Sequence, residues 1–327
     1  MKTVSVIIPT YNRDFFIRRT LESFIIQNYP NMLEIIVIDN NSTDNTLAVV
    51  KELSKKYPII KYFEEPRQGV HYARNSAIKY AKGEVLYYTD DDMIAEPDLL
   101  TNLVQTFELN DKIAVVSGRV LPKWDIQPPD WVLKYCLNAH LSLNLDETPL
   151  IISDQMINIF SCHEAVLKEA IIKAGGFNPE NTRGEWIGDG ETGLSIKLLD
   201  LGYLQAYNGL SVINHIIPKS RMTQSYLNKR FANQANCDSF TIYKAANGLS
   251  NSKLFSNILN NFIAVLYKSL ATPWHFIRAK DNWRITMAQV FYHSNRIAYD
   301  IKLITRHHMR NLVLKDNWIE QKQLNER

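Results

Sequence analysis

Through the first 120 residues, short apolar runs alternate with longer stretches in which apolar residues recur every three or four positions. The runs VSVIIP (4–9), EIIVID (34–39), IIKYF (59–63), EVLYYT (84–89) and IAVVSG (113–118) are rich in β-branched residues and bounded by polar or turn residues, which predicts strands. Helical spacing appears in DFFIRRTLESFIIQ (14–27), in a segment opening at Ser42 with Ser42 or Thr43 as N-cap, and in VHYARNSAIKYAKG (70–83) with Gly83 as the stop. Strand and helix in strict alternation predict a parallel sheet with helices on both faces, and such sheets bind ligands beyond the carboxyl ends of their strands.

After residue 120 the rhythm breaks. LPKWDIQPPDWVLKYCLN (121–138) is rich in Pro and Trp and predicts an irregular segment, which in a compact domain is usually functional. EAVLKEAIIKAGGFNPE (164–180) predicts a helix ended by Gly175 and Gly176, IGDGETGLSIKLLDLGY (187–203) a turn leading into another helix, and the chain beyond 222 only helices.

Composition narrows the class without changing this picture. The 327 residues are 46% hydrophobic, as in globular proteins. Cys136, Cys162 and Cys237 form no C-x-x-C pair, so neither a disulfide framework nor a thiolate zinc site is expected, and a reducing cytoplasm fits. The N-terminal apolar run is short and interrupted by Pro9, unlike a signal peptide, and no uncharged apolar stretch reaches the ~18 residues of a spanning helix. The net charge of +3 conceals a division: residues 1–218 hold 20 Lys and Arg against 28 Asp and Glu, whereas 219–327 hold 17 against 6.

Candidate chemistry clusters at the strand ends. Pro9, Thr10, Tyr11 and Asn12 follow the first strand, Asp39 and Asn40 the second, and Asp90, Asp91 and Asp92 the fourth. Each alone has an ordinary reading as turn or cap chemistry. Three consecutive carboxylates repel one another, and a helix N-terminus accounts for one of them rather than three. A divalent cation with hard oxygen ligands removes the repulsion, and alternation in extended chain lets Asp90 and Asp92 share it while Asp91 points elsewhere.

SVIIPTYNR, VIDNNSTDNT, QGVHYARNSAIKYAKGEVLYYTDDD, AGGFNPE, GDGETGLSIKLLDLGY and NHIIPKSRMTQSYLNKR resemble, in this order, the sequence blocks of family 2 glycosyltransferases, over residues 3 to about 235. The resemblance implies a GT-A fold, a Rossmann-like mixed and mainly parallel sheet flanked by helices. It divides the chain into a catalytic domain at 1–220, with nucleotide-sugar binding at 1–120 and the acceptor side at 121–220, and a basic helical extension at 221–327.

The implied activity is inverting transfer of a single sugar from a nucleotide diphosphate donor, expected to be a UDP-sugar, to a glycan or lipid-linked acceptor in surface polysaccharide assembly. No Gln-x-x-Arg-Trp motif of processive synthases occurs. By resemblance, Pro9, Thr10, Tyr11, Asn12, Arg13, Asp39, Arg74, Asp90, Asp91 and Asn158 fall to the donor, and Asp92, His215 and Asp90 to Mn²⁺ or Mg²⁺. Ungapped alignment of LSIKLLDLGY places Gly190 and Glu191 where relatives carry a Glu-Asp pair, making Glu191 the candidate base and Asp189 the alternative. Trp124, Trp131 and Trp186 are candidate acceptor walls, and a small core under the Pro-rich segment is the competing reading for the first two.

The basic C-terminal helices are read either as a bundle closing the domain or as a peripheral contact with the anionic inner face of the cell membrane. Nucleic acid is not expected, because the basic residues are dispersed. The rival activities are nucleotidyl transfer, which generally needs a Gly-rich phosphate loop that IIPTYNRDFF lacks, and non-catalytic glycan binding.

Overall fold

The computed structural model describes residues 1–179, 181–182, 185–186, 189–278 and 282–319, with backbone alone at 181, 182, 185 and 186. In chain order the elements are β1 (Val4–Thr10), α1 (Asp14–Ile25), β2 (Met32–Asp39), α2 (Thr46–Lys56), β3 (Ile60–Glu64), α3 (Val70–Tyr80), β4 (Val85–Thr89), β5 (Met93–Ala95), α4 (Leu99–Phe107), β6 (Ile113–Trp124), α5 (Asp130–Tyr135) and β7 (Leu150–Ser153). They continue with β8 (His163–Leu167), α6 (Lys168–Lys173), β9 (Asn181–Thr182), β10 (Glu185–Trp186), α7 (Gly190–Asp200), β11 (Leu204–Ile217), α8 (Gln224–Ala245), α9 (Asn251–Ile277), α10 (Trp283–Thr305) and α11 (His307–Leu314).

Among the described residues nine strands form one sheet in the order β3-β2-β1-β4-β8-β6-β11-β5, with β7 also on β11. The first four are mutually parallel, and β1 and β4 are buried along their whole length, which is why their sequences are continuously apolar. Here the predicted architecture holds.

The other half of the sheet is mixed. β6 and β11 are parallel, and β8 runs antiparallel between β4 and β6. The expected helix from residue 164 is therefore corrected: His163–Leu167 is a strand, fully buried between two neighbours, and the helix is only Lys168–Lys173. Its five residues are buried without interruption, and so short an apolar run does not distinguish a buried strand from a helix by period. Gly175 and Gly176 do end the helix, both at φ 76°, and they also admit the chain's return: a Cβ on Gly175 would lie 2.8 Å from Asn317 Cα.

Gly83 lies outside α3, which ends at Tyr80. Added as a Cβ there, a methyl would lie 2.4 Å from Ser5 N, so the glycine permits close backbone approach to β1 rather than stopping the helix. Ile319 joins the main core, and Trp318 N–H donates to Gly175 O at 2.8 Å. Helices α8 to α11 build a smaller core around Phe240, Tyr243, Leu254, Tyr299, Leu303 and Met309.

Candidate active site

Three turns at the carboxyl edge of β1, β2 and β4 shape the site. After β1, Asn12 takes a left-handed conformation, φ 53°, which asparagine tolerates better than most residues. Its N–H donates to Ser42 Oγ at 2.9 Å and its Oδ1 accepts from Thr43 N–H at 2.8 Å. Asn12, expected at the donor, thus ties two loops together. Ser42 and Thr43 serve that tie and do not cap α2, which starts at Thr46 with Asp44 Oδ1 accepting from the Thr46 N–H at 2.9 Å. Asn40 fixes the next turn: Oδ1 accepts from Gly69 N–H at 2.7 Å and Nδ2 donates to the carbonyls of Glu65 and Arg67 at 2.7 and 2.8 Å. That sets the start of α3 and, with it, His71 and Arg74.

A cavity of about 290 Å³ is lined by Pro9, Thr10, Tyr11, Arg13, Asn40, Gln68, Val70, Arg221 and all three aspartates. Asp39 lies just outside it. Its carboxylate accepts from Ser42 N–H at 3.1 Å and Tyr62 O–H at 3.0 Å, in an adjoining cleft with Glu64 and Pro66.

The three aspartates are inequivalent, though not by simple alternation, because the chain turns at Asp91 and Asp92 before β5. Asp90 is the most exposed, 38% by side chain, and accepts from Arg74 Nη2 at 2.6 Å. Asp91 was expected from alternation to point elsewhere; it stays at the cavity, buried, with Arg13 Nε 3.4 Å away. Burial pushes its carboxyl well up, and the charge of Asp92 adds to this.

For Asp92, burial is outweighed by the Arg221 charge and by His215, which hold it well below the usual carboxylate range. Arg221 Nη2 donates to Asp92 Oδ2 at 2.6 Å, and Arg221 Nη1 also meets His215 Nε2. His215 Nε2 lies 3.7 Å from Asp92 Oδ1. What joins them is the antiparallel pairing of β5 with β11, which sets His215 opposite Met93, the residue after Asp92. His215 Nδ1 is 2.9 Å from Leu141 O, a carbonyl that can only accept, which assigns the proton to Nδ1 and turns the Nε2 lone pair to Arg221; Arg221 and Asp92 line the cavity, and His215 does not.

A second cavity, about 240 Å³, shares Val70 and Asp90 with the first and adds His71, Arg74, Ser142, Ser161, Asp189, Glu191 and Thr192. Four further lining residues, Arg230, Asn233, Gln234 and Cys237, come from α8, so the site crosses the boundary expected at residue 220. Arg74 is buried and held by Asp90, by Ser161 Oγ at 2.7 Å and by His71 Nε2 at 3.1 Å, among other contacts.

The two candidate bases sit differently. Asp189 is buried with both oxygens engaged: Asn178 Nδ2 donates at 2.9 Å and Thr241 Oγ1 at 3.1 Å. A Cβ on Gly193 would fall 2.0 Å from Asp189 Oδ1, so this glycine is what lets the helix pass over the pair. Glu191 is 23% exposed by side chain, with His71 Nε2 at 3.8 Å. Burial raises its pKa, but His71 and then Arg74 outweigh it and keep the carboxylate below its ordinary range.

Several expected residues are placed elsewhere. Asn158 is exposed and lines neither cavity; its carbonyl accepts from Asn144 Nδ2 at 3.5 Å. The following turn, closed by His163 N–H on Phe160 O, delivers Ser161 instead. Trp124 and Trp131 also line neither cavity. Both pack on the main core rather than on a small core of their own, and the Arg284 guanidinium covers Trp131 at 4.6 Å, so neither expected reading describes them. The backbone of Trp186 pairs in β10 with β9, and its side chain lies outside the described residues. His71, Ser161, Arg221 and Arg230 were not singled out from the sequence; His71, Arg221 and Arg230 stand inside the quoted family blocks, the only signal they carry.

Comparison with known proteins gives three kinds of match. The family model described as "Glycosyl transferase family 2" matches residues 5–174. A dolichyl N-acetyl-alpha-D-glucosaminyl phosphate 3-beta-D-2,3-diacetamido-2,3-dideoxy-beta-D-glucuronosyltransferase of Methanococcus voltae is 37% identical over 125 residues, 36% of this chain and 39% of that protein. A GalNAc(5)-diNAcBac-PP-undecaprenol beta-1,3-glucosyltransferase of Campylobacter jejuni is 37% identical over 123 residues, 37% of this chain and 39% of that one. The matched stretch thus spans about two-fifths of these relatives' length. Among solved structures, the mannosyltransferase PcManGT from Pyrobaculum calidifontis, in complex with GDP-Man and Mn²⁺, superposes with a TM-score of 0.61 at 20% identity, covering 92% of this chain and 87% of that one. GalNAc-T7 with UDP, GalNAc and Mn²⁺ gives 0.54 at 19%, covering 93% and 58%. At such identities the likeness speaks for the GT-A fold alone.

Proposed function

The chain belongs to glycosyl transferase family 2 and is a glycosyltransferase, and from that premise we propose that it moves one sugar, with inversion, from a nucleotide diphosphate donor to a hydroxyl of a glycan or lipid-linked acceptor. The observation that carries this reading is the pair of cavities meeting at Asp90, one holding convergent cation donors and the other an ionised carboxylate. A UDP-sugar is the proposed donor and surface polysaccharide assembly on the cytoplasmic side the proposed setting. Two relatives carry dolichyl phosphate or undecaprenol in their names, which supports a lipid-linked acceptor.

The donor set fits a divalent cation. A carboxylate of Asp92 and the lone pair of His215 Nε2 already converge on one positive charge, the Arg221 guanidinium. Asp92 and His215 are the residues that would hold Mn²⁺ or Mg²⁺, while Asp90 is engaged by Arg74 and is assigned to the donor side. When bound, such an ion offsets the charge that develops on the diphosphate leaving group.

The rest falls to the chain's own groups. Arg13 and Arg221 bring positive charge to the first cavity, where the leaving diphosphate is placed in this reading. Arg74 orients Asp90 at the junction. Glu191, ionised at neutral pH, takes the proton of the attacking hydroxyl from the second cavity, and His71 positions it. Asp189, with both oxygens committed, holds the start of α7.

Thermal-shift screening of nucleotide sugars with Mn²⁺ and Mg²⁺ tests the proposal. One nucleotide sugar should raise the melting temperature only with the metal, and a chelator should cancel the shift. No response to any member of a broad panel contradicts it.

A further inference from the structure

Helix α9 is mounted inside out. Its polar positions face α10: His293 Nδ1 lies 2.8 Å from Asn261 Oδ1, His275 Nδ1 lies 3.1 Å from Thr286 Oγ1, and Asn257 hydrogen-bonds the buried Asp300. Leu254 apart, most of its large apolar positions face away. Leu259, Phe262, Leu266, Leu270 and Trp274, spaced by three or four residues, are all exposed, Leu270 by 77%, and so is Tyr267 beside them. A surface helix ordinarily turns such a stripe toward the core, and a contiguous exposed apolar patch marks an interaction surface. Leu254 is the one residue of α9 that is buried among those described.

Charge indicates what covers the stripe. The 27 residues of α9 include no Asp or Glu, while exposed Lys253 and Arg278 stand near its two ends, Arg278 lying 4.0 Å over the Trp274 ring. A second copy laid on the stripe would oppose Lys253 to Lys253 if the helices ran parallel, or Lys253 to Arg278 if antiparallel. Like charges meet either way. An anionic bilayer satisfies both ends and takes the apolar face. None of the helices among the described residues is long and apolar enough to cross a membrane, so the stripe lies along the surface.

We propose that the protein docks on an anionic lipid surface through the outward face of α9, the helix lying in the plane of the headgroups. α10 packs against both α9 and α8, and α8 lines the second cavity with Arg230 and Gln234, so the docking helix and the acceptor side belong to one helical layer. The inference goes beyond the transfer reaction and does not depend on it.

Flotation of the full-length protein with vesicles, at low salt and in the absence of nucleotide, tests it. The protein should float with phosphatidylcholine vesicles containing phosphatidylglycerol and far less with phosphatidylcholine alone. The double variant Leu266→Glu/Leu270→Glu should lose about tenfold or more of the bound fraction, and Lys253→Glu/Arg278→Glu should lose the preference for anionic lipid. Both variants should keep the wild-type melting temperature and thermal-shift response to nucleotide sugar. Wild-type protein that stays unbound on anionic vesicles overturns the proposal. So does a lipid-free dimer that Leu266→Glu/Leu270→Glu converts to monomer while vesicle binding is unchanged. Failure of the transfer reading shows separately, as a missing nucleotide-sugar response with flotation intact.

Discussion

Asp92 and Glu191 are both held ionised, but by different neighbours, and substitution should separate their roles. Asp92→Asn removes the carboxylate that meets Arg221 and His215 and should weaken metal-dependent donor binding about a hundredfold, read by calorimetry with and without Mn²⁺. Glu191→Gln should leave that binding intact and lower turnover about 10²- to 10⁴-fold. If Glu191→Gln turns over normally and Asp189→Asn does not, the base is misassigned. Glu191 sets the acid limb of the rate profile: burial raises its carboxyl but His71 and then Arg74 hold it low, so His71→Gln should move that limb to higher pH.

Glu164 behaves in the opposite sense. It is fully buried on β8, its oxygens have no partner among the described residues, and burial, with the negative charge of Glu191, pushes its carboxyl up to about 8. A carboxyl raised on folding contributes stability that is complete below its unfolded pKa of ~4.3 and is lost as pH rises through about 8. Glu164→Gln never ionises. Its melting temperature should match wild type at pH 5 and exceed it by several degrees at pH 9, measured by calorimetric scans.

At the scale of elements, the sequence was legible where pattern and environment agree. β1, β2 and β4 are largely buried parallel strands with apolar runs to match, β3 is their half-exposed edge neighbour, and the ends of the three buried strands carry Thr10, Asn40 and Asp90 to Asp92 to one edge. β8 was hidden because five buried residues run straight into a true helix without a turn between them. β11 was hidden because NGLSVINH mixes polar residues and a glycine into a strand whose register shifts between Asn208 and Val212. That loss matters for the site, since the metal candidates meet only through β5 and β11. Arg221 and Ser161 follow from tertiary approach: Arg221 carries no signal beyond its place in a family block, and Ser161 has none. Gly193 offers a test at this scale: Gly193→Ala should displace Asp189 from Asn178 and cost about 1–3 kcal/mol, seen as a lower midpoint in denaturant with donor binding retained in the folded fraction.

At the scale of the whole molecule, the acidic first part and the basic last part are coupled by more than contact. Arg221 reaches Asp92, α8 walls the second cavity, and Ile319 returns to the main core, so the site and the C-terminal helices are built as one unit. The central claim is that this unit cleaves the bond between sugar and diphosphate, and the phosphorus products test it most directly. Phosphorus NMR of the wild-type reaction, run with the donor found by thermal shift, Mn²⁺ and a lipid-linked acceptor, should show nucleoside diphosphate accumulating with metal and not after chelation. Release of pyrophosphate or nucleoside monophosphate in its place would contradict the account.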